Sequence, residues 1–381
     1  VVNKDKGAKS ETRRVVHLTT VHSAFDSRIF YKQAKTLAKA GYDITLIAQH
    51  SSDEVLDGIK LLPLPKPRSR LQRMLSLTWR AFRLAWQEKA DIFHFHDPEL
   101  IPIGLLLKFC GKRVVYDVHE DLPRQILSKH WIPRWLRTPL ARIAEVIEQI
   151  TVQSFDAIVA STPAIAKRFP AKKTVVVQNF PLLAEFTSAK ECAPKERSPW
   201  IVYVGGISSL RGIKEMVQAI ILLPKMRAAR LVLAGEFVPA DMEAEIRNMP
   251  GWNLVDFLGW QSREGVAKLL ERAKLGLALL HPVPNYLEAY PVKLFEYMAA
   301  GIPVIASNFP RWKEIVEGNE CGLTIDPLNP QEIAQAIDYL LERPDLCQKM
   351  GENGRRAVRE KYNWEKESEK LLKLYEELSR R

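Results

Sequence analysis

Short β-branched runs alternate along this chain with stretches whose apolar residues recur at helical spacing. Arg13 to Leu18 (RRVVHL) reads as a buried strand, a polar loop follows, and Ile29 to Ala40 reads as a helix with Gly41 at the cap position. Tyr42 to Ala48 (YDITLIA) then completes a strand–helix–strand unit. The pattern continues with strands at Asp91 to Phe95, Arg113 to Asp117, Ala157 to Ala160 and Thr174 to Gln178, and with helices ending near Lys108 and Phe169. From Pro181 to Pro199 the period is lost and prolines and polar residues dominate, which is linker composition. The alternation restarts with strands at Trp200 to Val204, Arg230 to Ala234, Leu254 to Phe257, Leu275 to Leu280 and Pro303 to Ala306, and helices between them.

The expected architecture is α/β, with two doubly wound Rossmann-like domains facing across a cleft. A disordered tail is expected over 1–14, an N-terminal domain over 15–185, a linker over 186–199 and a C-terminal domain over 200–360. A final helical segment over 361–381 is free to pack back on the N-terminal domain. In such sheets ligands bind beyond the carboxyl ends of the strands, so loops that follow strands carry the candidate chemistry.

Composition narrows the classes. With 381 residues, 46% hydrophobic and 27% charged, the chain has the mass and apolar content for two cores, which excludes disorder throughout. No apolar run reaches the roughly 18 to 20 residues needed to cross a bilayer. The N-terminus lacks the apolar core of a secretory signal. Four scattered cysteines without a C-x-x-C pair point to a reducing, cytoplasmic setting and away from a zinc or disulfide framework. The formal net charge of +11 is concentrated in two places: Lys60 to Lys89 contributes +7 and Arg124 to Arg142 contributes +5. The rest of the chain is close to neutral.

In the second half, EAYPVKLFEYMAAGIPVIAS begins at Glu288. Pro291 suits the start of a helix, leaving the N–H groups of Val292, Lys293 and Leu294 free for an anion such as a diphosphate. Glu296, one turn on, can accept from two adjacent hydroxyls, as on a ribose, and Glu288 can meet a second hydroxylated ring. Upstream, VYVGGISSLRGIK places Gly205 and Gly206 after a strand, with Arg211 following. Glycine lets a backbone approach a phosphate, and Arg offers a bidentate fork. Glu236 and Leu258 sit in other loops expected to follow strands.

The segment from Glu288 through Ser307, with its E-x7-E spacing, resembles the retaining glycosyltransferases of family 4, also called group 1, which have the GT-B fold. The resemblance extends over most of the chain. It implies that Glu288 contacts the transferred sugar, Glu296 the ribose, and the neighbourhood of Leu258 the nucleotide base. It also implies that Arg211 and Lys293 neutralise the donor diphosphate, with no metal and no separate cofactor. This chain has Tyr290-Pro291 where the family commonly has Phe-Gly, and Gly206 where it commonly has an Arg.

In the first half His94, His96, Asp97 and Glu99 (HFHDPE) follow one strand, His119 and Glu120 follow another, and His22, Asp26 and Arg28 follow the first. By resemblance His119 contacts the donor sugar near the reacting carbon and Asp97 binds or activates the acceptor. Asp26, Arg28, His96, Glu99 and Glu120 would line the acceptor side. In a retaining transfer the leaving diphosphate accepts the acceptor's proton, so the protein mainly orients and stabilises charge.

The basic stretches interleave cations with aromatics: Arg73, Trp79, Arg80, Arg83 and Trp86 in one, Trp131, Arg134 and Trp135 in the other. That composition suits helices lying in a bilayer interface, at about 1 kcal/mol per basic residue near anionic lipid. The expected partners are a UDP- or GDP-sugar, a glycan or lipid-linked acceptor in cell-envelope or exopolysaccharide synthesis, and the anionic cytoplasmic face of a membrane. Three rivals remain at this point. A nicotinamide oxidoreductase needs G-x-G-x-x-G after a first strand, which neither half has. A basic membrane- or nucleic-acid-binding protein without catalysis fits the charge, but no recognised nucleic-acid module is present. A nucleotide-sugar epimerase of the GT-B fold would share the donor site and need no acceptor.

Overall fold

A computed structural model describes residues 13–129, 132–187 and 197–380. The chain divides into two compact units, Val1–Gln178 with Glu367–Arg381, and Asn179–Lys366.

The first unit holds an eight-stranded sheet made of β1 (Arg14–Ser23), β2 (Asp43–Gln49), β3 (Glu54–Leu56), β4 (Ile59–Leu64), β5 (Ile92–Phe95), β6 (Arg113–Val118), β7 (Ala157–Ala160) and β8 (Thr174–Val176). Its order is β3-β4-β2-β1-β5-β6-β7-β8, parallel except for the β3–β4 hairpin. Val16, Leu18, Phe93, Phe95, Val114 and Tyr116 alternate onto one face and meet Leu77, Ala81, Ala85 and Leu107 from the covering helices. Strands buried on both faces read as continuous apolar runs, which is why these were legible. The hairpin was not. Lys60 lies in β4 rather than in the basic helix, because Ile59, Leu61 and Leu64 turn inward from a strand that pairs with β2 on one side and β3 on the other.

The second unit holds β9 (Trp200–Val204), β10 (Arg230–Ala234), β11 (Val255–Gly259), β12 (Leu275–Ala278), β13 (Val304–Ser307) and β14 (Gly322–Ile325), all parallel in the order β11-β10-β9-β12-β13-β14. One face is covered by helix Val292–Ala300 and helix Pro344–Glu360, the other by Ile213–Ile221 and Pro330–Leu341. Gly301 takes a left-handed φ of 67° and ends the first of these, and Asn329 caps the last by accepting from Gln331 N and Glu332 N.

Three boundaries differ from the expected ones. Arg14 already pairs with Asp43 in the sheet, so the tail cannot reach residue 14; residues 1–12 lie outside the described ones. Residues 179–185 go with the second unit, because the Phe180 ring packs on Phe295 and Tyr362 at 4.7 and 5.4 Å. The segment taken as linker starts with a helix, Ala184–Thr187, whose Glu185 pairs with Arg263; its residues 188–196 lie outside the described ones. The final helix, Trp364–Arg380, starts in the second unit and ends in the first, where Tyr375 is buried and shares a 2.8 Å hydrogen bond with His94 Nδ1.

Candidate functional site

Each sheet has one point where strand order reverses direction, and there the loops on either side diverge and leave a crevice. In the second unit it lies between β9 and β12. The loop after β9 is drawn tight against its neighbours: Gly205 N donates to Ala234 O at 2.8 Å and Gly235 N to Gly259 O at 2.8 Å. A Cβ on Gly235 would stand 2.0 Å from Gly205 O, so only glycine permits this approach. Gly205 has φ +114, and the Gly206 carbonyl accepts from Arg211 Nη1 at 3.0 Å and Tyr203 Oη at 2.7 Å.

Helix Val292–Ala300 arrives from the other side of this point, with Pro291 at its N-cap. Lys293 projects from its first turn over the Tyr203 ring, Nζ 3.5 Å from the centroid, and a Cβ on Gly205 would lie 3.4 Å from Nζ. That ammonium is buried and has no hydrogen-bond partner among the described residues. Burial and the neighbouring Arg211 charge push its pKa well down, with Glu296 opposing. Two cations therefore meet at a glycine loop and a helix N-terminus, and one of them has no acceptor. Gly206 has no side chain to offer, and Lys293 brings its charge to the same loop from the opposite side.

The other candidates of this half fare differently. Glu288 and Glu296 are both half-buried, on the loop and helix beside Lys293. Glu236 is exposed, and its carbonyl is taken by Ile207 N at 2.7 Å. Leu258 lies within β11 rather than after it, and its carbonyl accepts from Gln261 Nε2 at 2.9 Å. The backbone oxygens of Leu258 and Gly259 each accept one hydrogen bond within the unit.

In the first unit the reversal lies between β1 and β5. Asp97, directly after β5, is 2% exposed, and its Oδ2 accepts from Thr19 Oγ1 (2.9 Å), Thr20 N (2.6 Å) and Val21 N (3.2 Å). It is buried there and braces the carboxyl end of β1. Its other oxygen lies 3.7 Å from His22 Nε2, while Asp26 Oδ2 lies 3.3 Å from His22 Nδ1. Burial opposes charge on His22, yet the hydrogen bond and charge of Asp26, with Asp97 and Glu120, raise its pKa overall. Asp26 also caps the following helix, Oδ1 accepting from Arg28 N and Ile29 N. Glu120 is exposed.

A second correction concerns Arg28 and His96, both expected on the acceptor side and both buried. Arg28 forms a fork on Asp117, Nη2 to Oδ1 at 2.8 Å and Nε to Oδ2 at 3.1 Å. Gln33 Nε2 donates to the same Oδ2 at 2.6 Å, with His119 Nε2 at 3.1 Å and His96 Nδ1 at 3.3 Å. Burial alone would raise the Asp117 pKa; Arg28 and His119 outweigh it and hold the carboxylate ionised. Burial pushes His96 down to about 3 and lowers His17 and His94 well below the usual range, so all three are neutral. Glu99 is likewise turned inward, accepting from Thr20 Oγ1 at 2.7 Å and pairing with Arg73 Nε at 2.7 Å.

Asp117 was missed as a site residue, as were His17 and Gln33. The available signal was an acid and a histidine inside apolar strand runs, RVVYD and RRVVHL, where a polar side chain must find a partner. Two triplets, His17/His94/His96 and His96/Asp117/His119, bring possible metal-ligand atoms within 4.8 Å of one another. The His17–His96 contact of 2.9 Å is a hydrogen bond, and the His96 and His119 nitrogens that approach to 3.0 Å both face Asp117 Oδ2. The His17, His94 and His96 rings also pack on one another at centroid distances of 4.7 to 5.2 Å, His96 stacked on each of the other two and His17 tilted against His94.

The surface of the first unit carries the other cluster. Helix Thr78–Gln87 buries Thr78, Ala81 and Ala85 and leaves Trp79 and Trp86 exposed beside Arg80 and Arg83. Helix Arg134–Thr151 exposes Trp135, Ile143, Val146, Ile147 and Ile150, and Arg134 begins it. Helix Ile101–Phe109 packs beside both and ends in Phe109, 90% exposed. Arg73 does not belong to this surface, since Glu99 holds it inward, and Trp131 lies outside the described residues. Among the described residues no helix is long and apolar enough to cross a membrane.

Two doubly wound α/β units, one with a glycine loop and a helix start meeting at its reversal point, have the architecture of the GT-B fold. Residues 184–357 match the family model for glycosyl transferases group 1, and residues 27–179 match that for a glycosyl transferase 4-like domain. The chain belongs to the group 1, family 4 glycosyltransferases. It is 24% identical over 307 residues to an MMP α-(1→4)-mannosyltransferase of Mycolicibacterium hassiacum, covering 78% of this chain and 73% of that protein. Its fold matches the sucrose-phosphate synthase of Thermosynechococcus elongatus with a TM-score of 0.75 at 21% identity, over 96% of this chain and 99% of the other. It also matches HepE of Anabaena, solved with UDP and glucose, with a TM-score of 0.72 at 16% identity over 96% and 100%.

Proposed function

We propose that this glycosyltransferase moves a hexosyl group from a nucleoside diphosphate sugar to a hydroxyl of a glycan or lipid-linked acceptor, with retention, in cell-envelope or exopolysaccharide synthesis. The observation that carries the donor part is the buried, unpartnered Lys293 ammonium beside Arg211 at Gly205 and Gly206. A diphosphate supplies the missing acceptor and relieves the repulsion between the two cations. The N–H groups of Val292 to Leu294 add donors of the kind that bind phosphate at helix N-termini. In this reading the nucleotide sugar is a substrate, its charge is met by protein groups, and no metal is invoked. Glu296 takes the ribose hydroxyls and Glu288 the transferred sugar. His119 meets that sugar near its reacting carbon.

Melting of the full chain is the direct test. UDP, GDP and ADP are each added to wild type and to Arg211→Ala. One nucleoside diphosphate should raise the wild-type Tm, since ligand binding to the native state stabilises it, and the rise should vanish in the variant. No rise with any of the three, or an equal rise in both proteins, sinks the donor reading. Formation of a glycosylated acceptor, with nucleotide release accelerated above the hydrolytic background when the acceptor is added, separates transfer from epimerisation, and the anomeric proton coupling of the product decides retention.

A second reading concerns where the enzyme works. An ordinary surface helix turns its large apolar residues inward; helix Thr78–Gln87 turns Ala81 and Ala85 inward and both tryptophans outward, beside Arg80 and Arg83. Together with the apolar stripe from Trp135 to Ile150, this supports docking on an anionic membrane surface. Co-sedimentation with vesicles containing phosphatidylglycerol, lost with phosphatidylcholine alone, is expected; equal failure with both removes the membrane reading.

A further inference from the structure

The network around Asp117 dictates where protons sit. An ionised carboxylate gripped by Arg28 can only accept, so a ring nitrogen facing it must carry hydrogen. His119 Nε2 stands 3.1 Å from Asp117 Oδ2 and 3.0 Å from His96 Nδ1. Were His119 Nε2 unprotonated, its lone pair would point at the carboxylate, a repulsive pairing of two buried acceptors.

The remaining protons then follow. His96 Nδ1, 3.3 Å from the same oxygen, also donates, and His96 Nε2 accepts from His17 Nδ1 at 2.9 Å. The atom left over is His17 Nε2, which is buried with no partner. This assignment leaves a bare lone pair there, whereas the reverse assignment would bury an unpaired N–H, the costlier choice. Because the Asp117 carboxylate can only accept, the His119 nitrogen that faces it is the one carrying hydrogen. Its backbone is fixed as well, the His119 carbonyl accepting from Ser161 Oγ at 2.7 Å.

We infer that Asp117, braced by Arg28 and Gln33, is a positioning residue: it locks His119 as the Nε2–H tautomer, so that Nδ1 presents a lone pair accepting a hydrogen bond from a sugar hydroxyl. This rests on the reading of His119 as a sugar contact. The specificity that follows is chemical: His119 favours a sugar with a hydroxyl donor at that position over a deoxy or O-methyl analogue.

The test uses the full-length protein, with 15N-labelled histidine, in wild type, Asp117→Asn and His119→Gln. The His119 signals are those missing from His119→Gln. In wild type at neutral pH they should show a protonated Nε2 and a bare Nδ1; a protonated Nδ1 or an imidazolium overturns the proposal, even if Asp117→Asn fails to fold. Hydrolysis is then followed with whichever of UDP-glucose and GDP-mannose wild type cleaves faster. In folded Asp117→Asn, kcat should drop about 100-fold or more, as expected when a catalytic histidine loses its orienting carboxylate. The donor KM should stay within about threefold, and the tautomer signature should be lost. Wild-type kcat in Asp117→Asn with an inactive His119→Gln overturns this proposal alone. Full activity in His119→Gln overturns the reading of the site beneath it.

Discussion

The two reversal points solve opposite problems. In the second unit Lys293 and Arg211 are brought together with too few acceptors, and the site stays electrostatically incomplete until an anion arrives. In the first unit Asp117 is surrounded by Arg28, Gln33, His96 and His119, and Asp97 by Thr19, Thr20 and Val21, so both buried carboxylates already have their donors. The first arrangement holds a charged group whose compensation comes with the ligand. The second holds its rings and carboxylates in fixed hydrogen-bonded orientation. The same fold supports both because the chemistry sits in loops after the strands, which the sheet positions without dictating their residues.

The comparison can be broken most directly at Arg211. Arg211→Ala should weaken nucleoside diphosphate binding about 100-fold, the scale for removing one partner of a close charge pair; calorimetry showing less than a threefold change would mean the second unit is not electrostatically incomplete. Next comes the contrast between chemistry and surface. Arg80→Gln with Arg83→Gln should cut partition onto anionic vesicles about 30-fold, from about 1 kcal/mol per charge, while nucleotide binding stays unchanged.

A smaller effect sharpens the comparison through pH. Lys293 has a pKa lowered in the free protein, by burial and Arg211, and regained with a diphosphate bound, so binding takes up a proton between the two values. Affinity should therefore fall as pH rises across that window, by at most about tenfold per unit, and the slope should disappear in Lys293→Met. Titrations at several pH values that run parallel for both proteins would contradict this. The smallest effect is on stability. Because the ammonium is unpaired in the free fold, Lys293→Met should raise the Tm without ligand by about 2 to 4 °C while weakening the nucleotide. The sign follows from the depressed pKa: the cost is full below the folded-state value and shrinks as pH rises above it, so the gain should be largest at low pH.

The central strands were readable because parallel strands buried on both faces must be apolar throughout, as in VVYDV and WIVYV. The β3–β4 hairpin and β14 were not, since short strands at a sheet edge carry mixed residues and weak periods. At the donor site Gly205, Gly206, Arg211 and Lys293 could all be named from motifs. That Lys293 and Arg211 share one loop could not, because 82 positions separate them along the chain. Arg28 illustrates the opposite failure. As a cation in a loop after a strand it looks like a ligand contact, yet its guanidinium lies buried on Asp117, 89 residues away.

The sequence alone determined the two doubly wound units, the glycine loop and helix start of the donor site, and the placing of the excess charge in two aromatic-bearing segments. These are local properties, written in period, turn chemistry and composition. Tertiary structure alone decided which charges stay unpaired. It turned Arg73 and Glu99 toward each other, gathered His17, His96 and His119 around Asp117, and left Lys293 without an acceptor. Whether a polar group is satisfied depends on partners brought near by the sheet order, and no spacing along the chain encodes that.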